Sequence, residues 1–378
     1  MRVLIAGDFC AINRVNPVIA EGRFSLLFDE VKPIISNADL SVINFEFPVI
    51  GEQSLTSPIK KSGPNLSGSI KSIDAIKYAG FDACTLANNH ILDQGKQCCL
   101  QTKTSIEFAG LKTVGVGKNL EDAGKALYIE SKGEIIAIIN CCEHEFSIAT
   151  EESTGANPLN SVRQFNQILE ARTKADYVLV IVHGGHEHFQ LPSPRMQETY
   201  RFFIDAGADA VVNHHQHCYS GYEFYNGKPI FYGLGNFLFD WNSTKRTPWN
   251  EGYMLELDTK LSGKDSYKLY PYVQCLEEPT IRLLGNQDKA NFYKRIEELN
   301  EVISEPSKLK EAINNYYSLS SKGILSMLEP FSGRLLRKLT LGVFPSFVNS
   351  NRIPVILNLV ECEAHRDKLI YALKQGLK

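Results

Sequence analysis

The chain has 378 residues, 43% of them hydrophobic, with 40 Lys and Arg against 43 Asp and Glu. This apolar fraction excludes a disordered chain, and the length favours two units or one large α/β domain with an appendage. A formal net charge of −3 provides no overall basic field, so we expect no nucleic-acid partner.

Neither an export signal nor a membrane span is visible. The first residues, MRVLIAGDF, are too short an apolar run for a secretory signal, and no stretch approaches the ~20 apolar residues of a spanning helix. The nine cysteines are odd in number and lack the CxxC spacing of zinc or redox sites. We therefore expect a cytoplasmic protein without a transmembrane segment, whose cysteines are reduced and mostly buried.

Up to about residue 240, short runs rich in Val and Ile alternate with stretches of helical spacing. The predicted strands are RVLIAG, LSVINF, FDACTLA, TVGVG, IIAIINCC, YVLVIVHGG, ADAVVNHH and PIFYGLGNF. The predicted helices cover residues 69–79, 97–110, 161–173 and 194–206. This alternation is typical of an α/β fold whose strands are buried on both faces.

The C-terminal third differs. Residues 252–275 alternate as an antiparallel strand pair does, and residues 286–319 have the pattern of a charged helix. Residues 322–378 carry nine Lys and Arg against four Asp and Glu. We predict a main domain over 1–285 and a helical C-terminal extension over 286–378. The extension either packs its apolar face on the main domain or docks on a protein partner or an acidic membrane surface. The residues on which this choice rests are Ile324, Leu325, Leu328, Phe331, Leu335, Leu336, Leu339 and Phe344, with Arg334, Arg337 and Lys338 among them.

Polar residues collect where the predicted strands end. Six of the nine histidines fall in two clusters, each directly after an apolar run: His183-Gly-Gly-His186-Glu187-His188 and His214-His215-Gln216-His217. Other runs end in Asp8, in Asn44 and Glu46, and in Asn88, Asn89 and His90. Because functional groups of open α/β sheets collect at the carboxyl ends of strands, we expect these segments to meet at one rim.

The residue types indicate a metal site. Carboxylate, amide and imidazole groups together suit Zn, Mn or Fe, and the lack of clustered cysteines argues against a structural thiolate site. His215 and His217 form an H-x-H pair whose rings share one side if the segment is extended. Glu46 can bridge two ions, and a pair ~3.5–4 Å apart activates water and clamps phosphoryl oxygens. Singly, Asp8 also fits a cap, Glu46 a loop carboxylate and the NNH sequence an Asx turn.

Six ordered motifs span roughly residues 1–258: Gly7-Asp8, NFEFP at 44–48, ANNHILD at 87–93, the strand ending in His183-Gly-Gly, HHQH at 214–217 and GLGNF at 233–237. Together they resemble the CapA/PgsA family of capsule and poly-γ-glutamate biosynthesis proteins, a divergent branch of the calcineurin-like metallophosphoesterases. The resemblance implies a four-layer α/β/β/α sandwich with a site for one or two divalent ions, Mn, Fe or Zn, at one end of its two sheets.

The resemblance also implies a role for each residue. Asp8 and His217 would hold one ion, Asn89, His183 and His215 the other, and Glu46 would stand between them. His90 matches the catalytic histidine that assists the leaving group, with Asp93 orienting it. The candidate substrate contacts are Asn44, Asn88, His186, Glu187, Lys61 and Asn236; Lys61 also fits a solvated basic turn.

The sequence departs from the superfamily pattern at three positions. Cys10 stands where a histidine ligand belongs in D-x-H, and Glu46 replaces the usual aspartate. His214 stands where a glycine is expected before H-x-H, which leaves open which two of the three histidines bind metal. Cys10 could be a thiolate ligand or a buried thiol, and we expect the buried thiol.

Three functions remain open from the sequence. The first is a metal-dependent hydrolase of phosphoesterase type, linked to capsule or surface-polymer biosynthesis. The second is a non-catalytic assembly component that binds an anionic polymer, and the third is a metal-dependent hydrolase of γ-glutamyl amides. Because the chain begins directly at its first strand, a surface role would need membrane association through a protein partner, for which the C-terminal segment is the candidate.

Overall fold

The computed structural model describes residues 1–241, 244–261, 263–328, 348–350 and 352–376. These form two compact units, residues 1–309 and residues 310–378. The strands are β1 (Arg2–Cys10), β2 (Leu40–Phe45), β3 (Val49–Ile50), β4 (Gly68–Ser69), β5 (Ala83–Thr85), β6 (Lys112–Val114), β7 (Val116–Gly117), β8 (Leu127–Ser131), β9 (Glu134–Cys142), β10 (Gly155–Ala156), β11 (Tyr177–His183), β12 (Ala210–His214), β13 (Tyr222–Tyr225), β14 (Lys228–Phe231), β15 (Asn236–Phe239), β16 (Glu251–Asp258), β17 (Tyr267–Gln274) and β18 (Ile281–Leu283).

The α-helices are α1 (Val15–Ala20), α2 (Phe24–Phe28), α3 (Lys32–Ile35), α4 (Lys71–Ala79), α5 (Lys96–Phe108), α6 (Leu120–Ala123), α7 (Ser161–Arg172), α8 (Pro194–Asp205), α9 (Asn286–Ser304), α10 (Pro306–Met327), α11 (Ile353–Glu361) and α12 (Glu363–Gly376). Short 3-10 turns cover Pro248–Asn250 and Gly263–Ser266.

Two large sheets form the first unit. The first sheet has the order β18-β17-β16-β1-β2-β5-β6, and β15 also pairs with β1. The second sheet has the order β13-β14-β12-β11-β9-β8. The central pairs of both sheets are parallel, namely β1 with β2 and β11 with β12, so the carboxyl ends of neighbouring strands lie together.

Alternate side chains of a strand face opposite sides of its sheet, and this separates the two cores. In β1, Leu4 and Ala6 face a core that contains Val18 of α1 and Ile76 of α4, whereas the intervening Ile5 faces the other side of the sheet. That other side forms a second core with Ile138 and Ile181 of the second sheet. Helices α7 and α8 contact the outer face of the second sheet, at β9, β11 and β12. The layers are therefore α/β/β/α, which confirms the predicted fold class.

The predicted elements of the first unit are found, with three differences. The run TVGVG is not one strand, because it divides at Gly115 (φ +96°) into β6 of the first sheet and β7, which pairs with β10 in a separate two-stranded sheet. The run PIFYGLGNF is not one strand, because it divides into β14 in the second sheet and β15 in the first. The charged helix expected over 286–319 is two helices, α9 and α10, because Glu305 is extended before Pro306 (φ −107°, ψ 103°). The antiparallel pair expected over 252–275 is β16 with β17.

The C-terminal predictions have different outcomes. Phe292 and Ile296 of α9 are buried in the core between the sheets, so the first compact unit continues past residue 285. The predicted domain boundary between residues 285 and 286 stays a prediction. The second unit includes α11, whose residues are not buried. Phe331, Arg334, Leu335, Leu336, Arg337, Lys338, Leu339 and Phe344, on which the docking alternative largely depended, lie outside the described residues. Within the described part of the chain, no helix is both long and apolar enough to cross a bilayer.

Candidate metal centre

Strand ends from both sheets meet at one rim. Asp8 lies opposite Asn44 in the β1–β2 register, and His183 lies opposite His214 in the β11–β12 register. Pairing shifts by one residue near Asp8, so β1 is irregular where it supplies its carboxylate. The expectation that these segments converge is confirmed by their contacts, since the Asp8 carboxylate accepts a hydrogen bond from the backbone N–H of His215.

Two glycines permit a close backbone approach beside Asp8. A Cβ atom on Gly7 would lie 1.8 Å from the carbonyl oxygen of Gly235, and Gly235 itself has φ +80°. The backbone N–H of Asp8 donates to that same carbonyl at 3.3 Å. The Gly-Asp and GLGNF motifs therefore form one structural unit, although 227 residues separate Asp8 from Gly235 in sequence.

Two carboxylates are buried at the rim. Asn44 Nδ2 donates to Asp8 Oδ1 at 2.7 Å, and burial raises the pKa of Asp8 to about 7, opposed by the hydrogen bonds from Asn44 and His215. Glu46 is fully buried, and neither of its carboxylate oxygens has a hydrogen-bond partner among the described residues. Burial, and then repulsion from Asp8, raises the pKa of Glu46 well above its ordinary value. A carboxylate in this position is stabilised when a cation is near.

The histidines surround Glu46. Its Oε1 lies 3.6 Å from His183 Nε2 and 3.7 Å from His217 Nε2. His183 Nε2 also lies 3.0 Å from Asn89 Oδ1 and 3.1 Å from His215 Nδ1. Burial, reinforced by neighbouring histidines, lowers the pKa of both His183 and His217, which keeps their rings neutral and able to bind a metal.

The HHQH segment is not extended. The rings of His215 and His217 therefore do not reach the same side in the way that an extended segment would have placed them. Strand β12 ends at His214, and the next histidines have positive φ, +90° at His215 and +55° at His217. Such backbone costs of order 1–3 kcal/mol per residue and is found where function requires it. The two ring centres are 6.0 Å apart, so left-handed backbone brings both rings to the rim.

Two overlapping groups of side chains have the spacing of metal ligands. One is Glu46, His215 and His217, and the other is Asp8, Glu46 and His183; within each group the ligand atoms lie within 4.8 Å of one another. Glu46 belongs to both groups. The unpartnered Glu46 oxygens and the mixed oxygen and nitrogen donors fit divalent Mn, Fe or Zn.

The geometry also bears on the two questions that the sequence left open. His215 and His217, not His214, belong to a ligand group; burial lowers the pKa of His214 to about 3, and its two ring nitrogens make no hydrogen bond with a described residue. Cys10 is buried in the core beneath the first sheet and belongs to neither ligand group of the described chain, as expected for a buried thiol. All nine cysteines are free thiols, and eight are buried.

His90 and Asp93 form a pair beside the ligand groups. His90 Nδ1–H donates to Asp93 Oδ2 at 2.6 Å, and Leu66 N–H donates to the same oxygen. Lys61 Nζ lies 2.5 Å from Asp93 Oδ1 and 3.1 Å from His90 Nδ1, and its side chain is only 2% exposed. The solvated basic turn is therefore wrong for Lys61, because its charge is paired inside the protein.

A cavity of about 510 Å³ adjoins the rim, with Asn89, His90 and His217 in its wall. Some of the predicted substrate contacts line this cavity and others do not. Glu187 and Lys61 also line the cavity. The buried amides of Asn44, Asn88 and Asn236 instead bond to the protein, to Asp8, to the Phe45 carbonyl and to His217 respectively. In the described part of the chain, the cavity wall does not include His186.

Sequence reasoning missed two features of this cavity. Glu145 Oε2 accepts a hydrogen bond from Asn89 Nδ2 at 3.0 Å, and Glu145 Oε1 lies 3.4 Å from His215 Nε2. Glu145 follows the end of β9, so the same strand-end rule could have found it. The cavity also contains both tryptophans of the chain, Trp241 and Trp249, whose rarity and closeness in sequence were an available signal.

The family model described as "Bacterial capsule synthesis protein PGA_cap" matches residues 2–241. The chain belongs to this family. Family membership confirms the resemblance that the six motifs indicated. The capsule biosynthesis protein CapA of Bacillus anthracis is 32% identical over 253 residues, which cover 65% of this chain and 62% of that protein. The PGA biosynthesis protein CapA of Bacillus subtilis (strain 168) is 30% identical over 270 residues, 70% of this chain and 69% of that protein. The match thus spans less than two thirds of the Bacillus anthracis relative.

Solved structures similar to this PGA_cap family member share little sequence with it. A hypothetical protein from Thermus thermophilus superposes with a TM-score of 0.46 at 17% identity, covering 72% of this chain and 99% of that one. A phosphatase from Mycoplasma pneumoniae superposes with a TM-score of 0.44 at 15% identity, covering 73% of this chain and 95% of that one.

Proposed function

We propose that the chain is a metal-dependent hydrolase of phosphoester bonds that acts in the biosynthesis of a capsule or another surface polymer. The observation that carries the proposal is the buried carboxylate of Glu46, which has no hydrogen-bond partner among the described residues and lies between His183 and His217. A protein has little reason to bury such a group unless a cation balances its charge.

Each proposed ion takes ligands from both sheets. The division between the ions follows the family resemblance and differs from the two geometric groups, which place His217 with His215 and Asp8 with His183. Asp8 and His217 would hold one ion; the ligand atom of His217 would be Nε2, which lies 3.7 Å from Glu46 Oε1. Asn89, His183 and His215 would hold the second ion, and Glu46 would be common to both. Bound divalent ions, Mn, Fe or Zn, would supply Lewis-acid polarisation of the phosphoryl oxygens and activation of water.

His90 is the proposed proton donor. Its Nδ1–H is held by Asp93, which leaves Nε2 as the ring nitrogen that can give a proton to the leaving oxygen. Lys61 neutralises the second oxygen of Asp93, so the carboxylate is fixed from both sides and the ring keeps one orientation. His90 lines the cavity, where the leaving group of a phosphoester would be exposed to it.

The test combines metal analysis with turnover. Purified protein should contain Mn, Fe or Zn by elemental analysis and should hydrolyse phosphomonoesters or phosphodiesters. The His90→Ala variant should keep its metal and lose about 10²–10⁴-fold in kcat, the usual contribution of a general acid. His365→Ala, on α12 of the second unit, is the matched control and should change neither quantity. Protein that binds no transition metal, or that turns over equally well without His90, would refute the proposal.

A second candidate function is non-catalytic binding of an anionic polymer during its assembly. The two Bacillus relatives are named as capsule and PGA biosynthesis proteins, and these names fit either function. A deletion strain distinguishes the two. Full rescue of polymer formation by a His90→Ala, His215→Ala double variant would favour binding over hydrolysis. Product analysis on γ-glutamyl peptides in parallel would detect amide hydrolysis by the same centre.

A further inference from the structure

The cavity beside the metal centre has an aromatic wall, formed by Phe146, Phe239, Trp241 and Trp249. Trp249 contacts two of these rings and a proposed metal ligand: its ring centre is 5.0 Å from Phe239, 4.8 Å from Trp241 and 4.7 Å from His217. Contacts thus run continuously from a proposed metal ligand, His217, to the outer edge of the cavity at Trp241.

Trp241 is exposed, and both the residue before it and the ring beside it are anchored. Its side chain is 61% exposed, unusual for so large an apolar group. The preceding residue, Asp240, is fully buried and binds the Arg14 side chain through two contacts, Nη2 to Oδ1 at 2.6 Å and Nε to Oδ2 at 3.0 Å. The supporting Trp249 is held by a hydrogen bond from its Nε1–H to the Phe239 carbonyl. An exposed ring on such an anchored support is suited to stack against the flat face of a ligand.

The charges of the cavity argue against a polyanion. Glu145 and Glu187 both line it, and both are exposed. The cation in the wall, Lys61, is already paired with Asp93. Carboxylates accept hydrogen bonds from hydroxyl groups, whereas they repel a chain of further carboxylates.

We propose that this cavity binds an uncharged, hydroxyl-bearing ring of the sugar type, joined to the phosphate that the metal centre takes. The ring face stacks on Trp241, and its hydroxyls donate to Glu145 and Glu187. This inference rests on the proposed function for the position of the phosphate. It names the leaving group as a sugar ring and excludes a polyglutamate chain from this cavity.

Intrinsic fluorescence tests the proposal directly, because both tryptophans of the chain lie in this wall. The metal-loaded protein is titrated with glucose phosphate and with sorbitol phosphate, the reduced open-chain form, which has the same phosphate but no ring. We expect the tryptophan emission to change on binding. We also expect glucose phosphate to bind about tenfold more tightly than sorbitol phosphate, which is the difference expected for one stacked ring. Adenosine monophosphate and a γ-linked glutamate oligomer are the competing ligands.

Variants of Trp241 give the second arm, with Trp249 as the remaining reporter. Trp241→Ala should bring the preference for the ring over the open chain close to one, and Trp241→Phe should restore part of it. Phe108→Ala, an exposed aromatic residue on α5, is the matched control and should keep the full preference. Equal binding of the two sugar phosphates, or tighter binding of the nucleotide or the glutamate oligomer, would overturn the proposal.

Failure here and failure of the proposed function are distinguishable. Protein that prefers glucose phosphate in the fluorescence titration but hydrolyses no phosphoester retains the ring site and loses the hydrolase. Protein that hydrolyses phosphoesters without preferring the ring retains the hydrolase and loses the ring site.

Discussion

The two sheets contribute different chemistry to the candidate centre. The first sheet and its loops supply oxygen donors, Asp8, Glu46 and Asn89, whereas the second sheet supplies the ring nitrogens of His183, His215 and His217. Burial raises the pKa of the carboxylates and lowers the pKa of His183 and His217, so both sets are driven towards neutrality. In the metal-bound protein, loss of the Asp8 or Glu46 carboxylate therefore removes a charge that balances the cation, whereas loss of Asn89 or of a histidine removes one neutral ligand.

The largest effect is expected on the oxygen side, from Glu46→Gln. Because Glu46 belongs to both ligand groups, the variant should bind less metal at both of them. Its turnover should fall by at least about 10³-fold. The metal-free variant should be at least as stable as metal-free wild type, since a buried carboxyl without a partner has been replaced. Elemental analysis and thermal unfolding measure the two quantities. Glu198→Gln, exposed on α8, is the control, and a Glu46→Gln protein with full metal content would contradict the comparison.

The nitrogen side should respond in a graded way, and HHQH offers a matched pair. His217→Ala removes a ligand from one group and should lower the bound metal by about one ion per chain. His214→Leu removes a buried ring that belongs to neither group and should leave the metal content unchanged. Equal metal loss in the two variants would show that the assignment within the cluster is wrong.

The outcome at these histidines shows how far the sequence alone could lead. The strand-end rule correctly predicted that Asp8, Glu46 and the two histidine clusters converge, because hydrophobic runs locate buried parallel strands and their ends. It could not select His215 and His217 over His214, because that choice depends on positive φ after β12, which only tertiary contacts impose on residues other than glycine.

The partner of Lys61 and the meeting of Phe146 with the tryptophans could not be predicted from the sequence for a related reason, although the two tryptophans themselves were visible in it. A lysine in a Gly- and Pro-containing loop has the pattern of a solvated turn, and only folding brings it 2.5 Å from Asp93, which lies 32 residues further along the chain. Likewise, Phe146 and Trp241 follow strands of different sheets and meet only in the cavity. Side-chain partners of high sequence separation leave no local signal.

A smaller effect is expected from pH on the metal-free protein. Because burial raises the pKa of Asp8 to about 7 and of Glu46 well above its usual value, the folded chain holds protons that the unfolded chain releases. The free energy of unfolding of the metal-free protein should therefore fall as the pH rises from about 7 to 8. Glu46 alone should contribute up to about 1.4 kcal/mol per pH unit to this fall. The lowered pKa values of His183 and His217 act in the other sense only below the unfolded value of about 6.5.

Denaturant unfolding at several pH values measures this slope. Metal-loaded protein should show a flatter profile, because its carboxylates are ionised in the folded state, and the metal-free Glu46→Gln variant should lose the Glu46 share. A metal-free wild type whose stability rises over that range would contradict the assignment of the buried protons to these two carboxyl groups.

The smallest effect is expected from Asn236, a residue of the first sheet that contacts a histidine supplied by the second sheet. Asn236 begins β15 of the first sheet, yet its Oδ1 accepts a hydrogen bond from His217 Nδ1–H at 2.9 Å, which turns His217 Nε2 towards Glu46. Asn236→Ala should keep the ligand but free its ring, and so weaken metal affinity by about tenfold, the low end for loss of a group that orients a metal ligand. Asn236→Asp retains the acceptor and should bind metal more tightly than Asn236→Ala in the same competition titration with a chelator. If both variants bind metal like wild type, the hydrogen bond does not orient His217, and the first sheet supplies oxygen ligands without controlling the nitrogen ligands of the second.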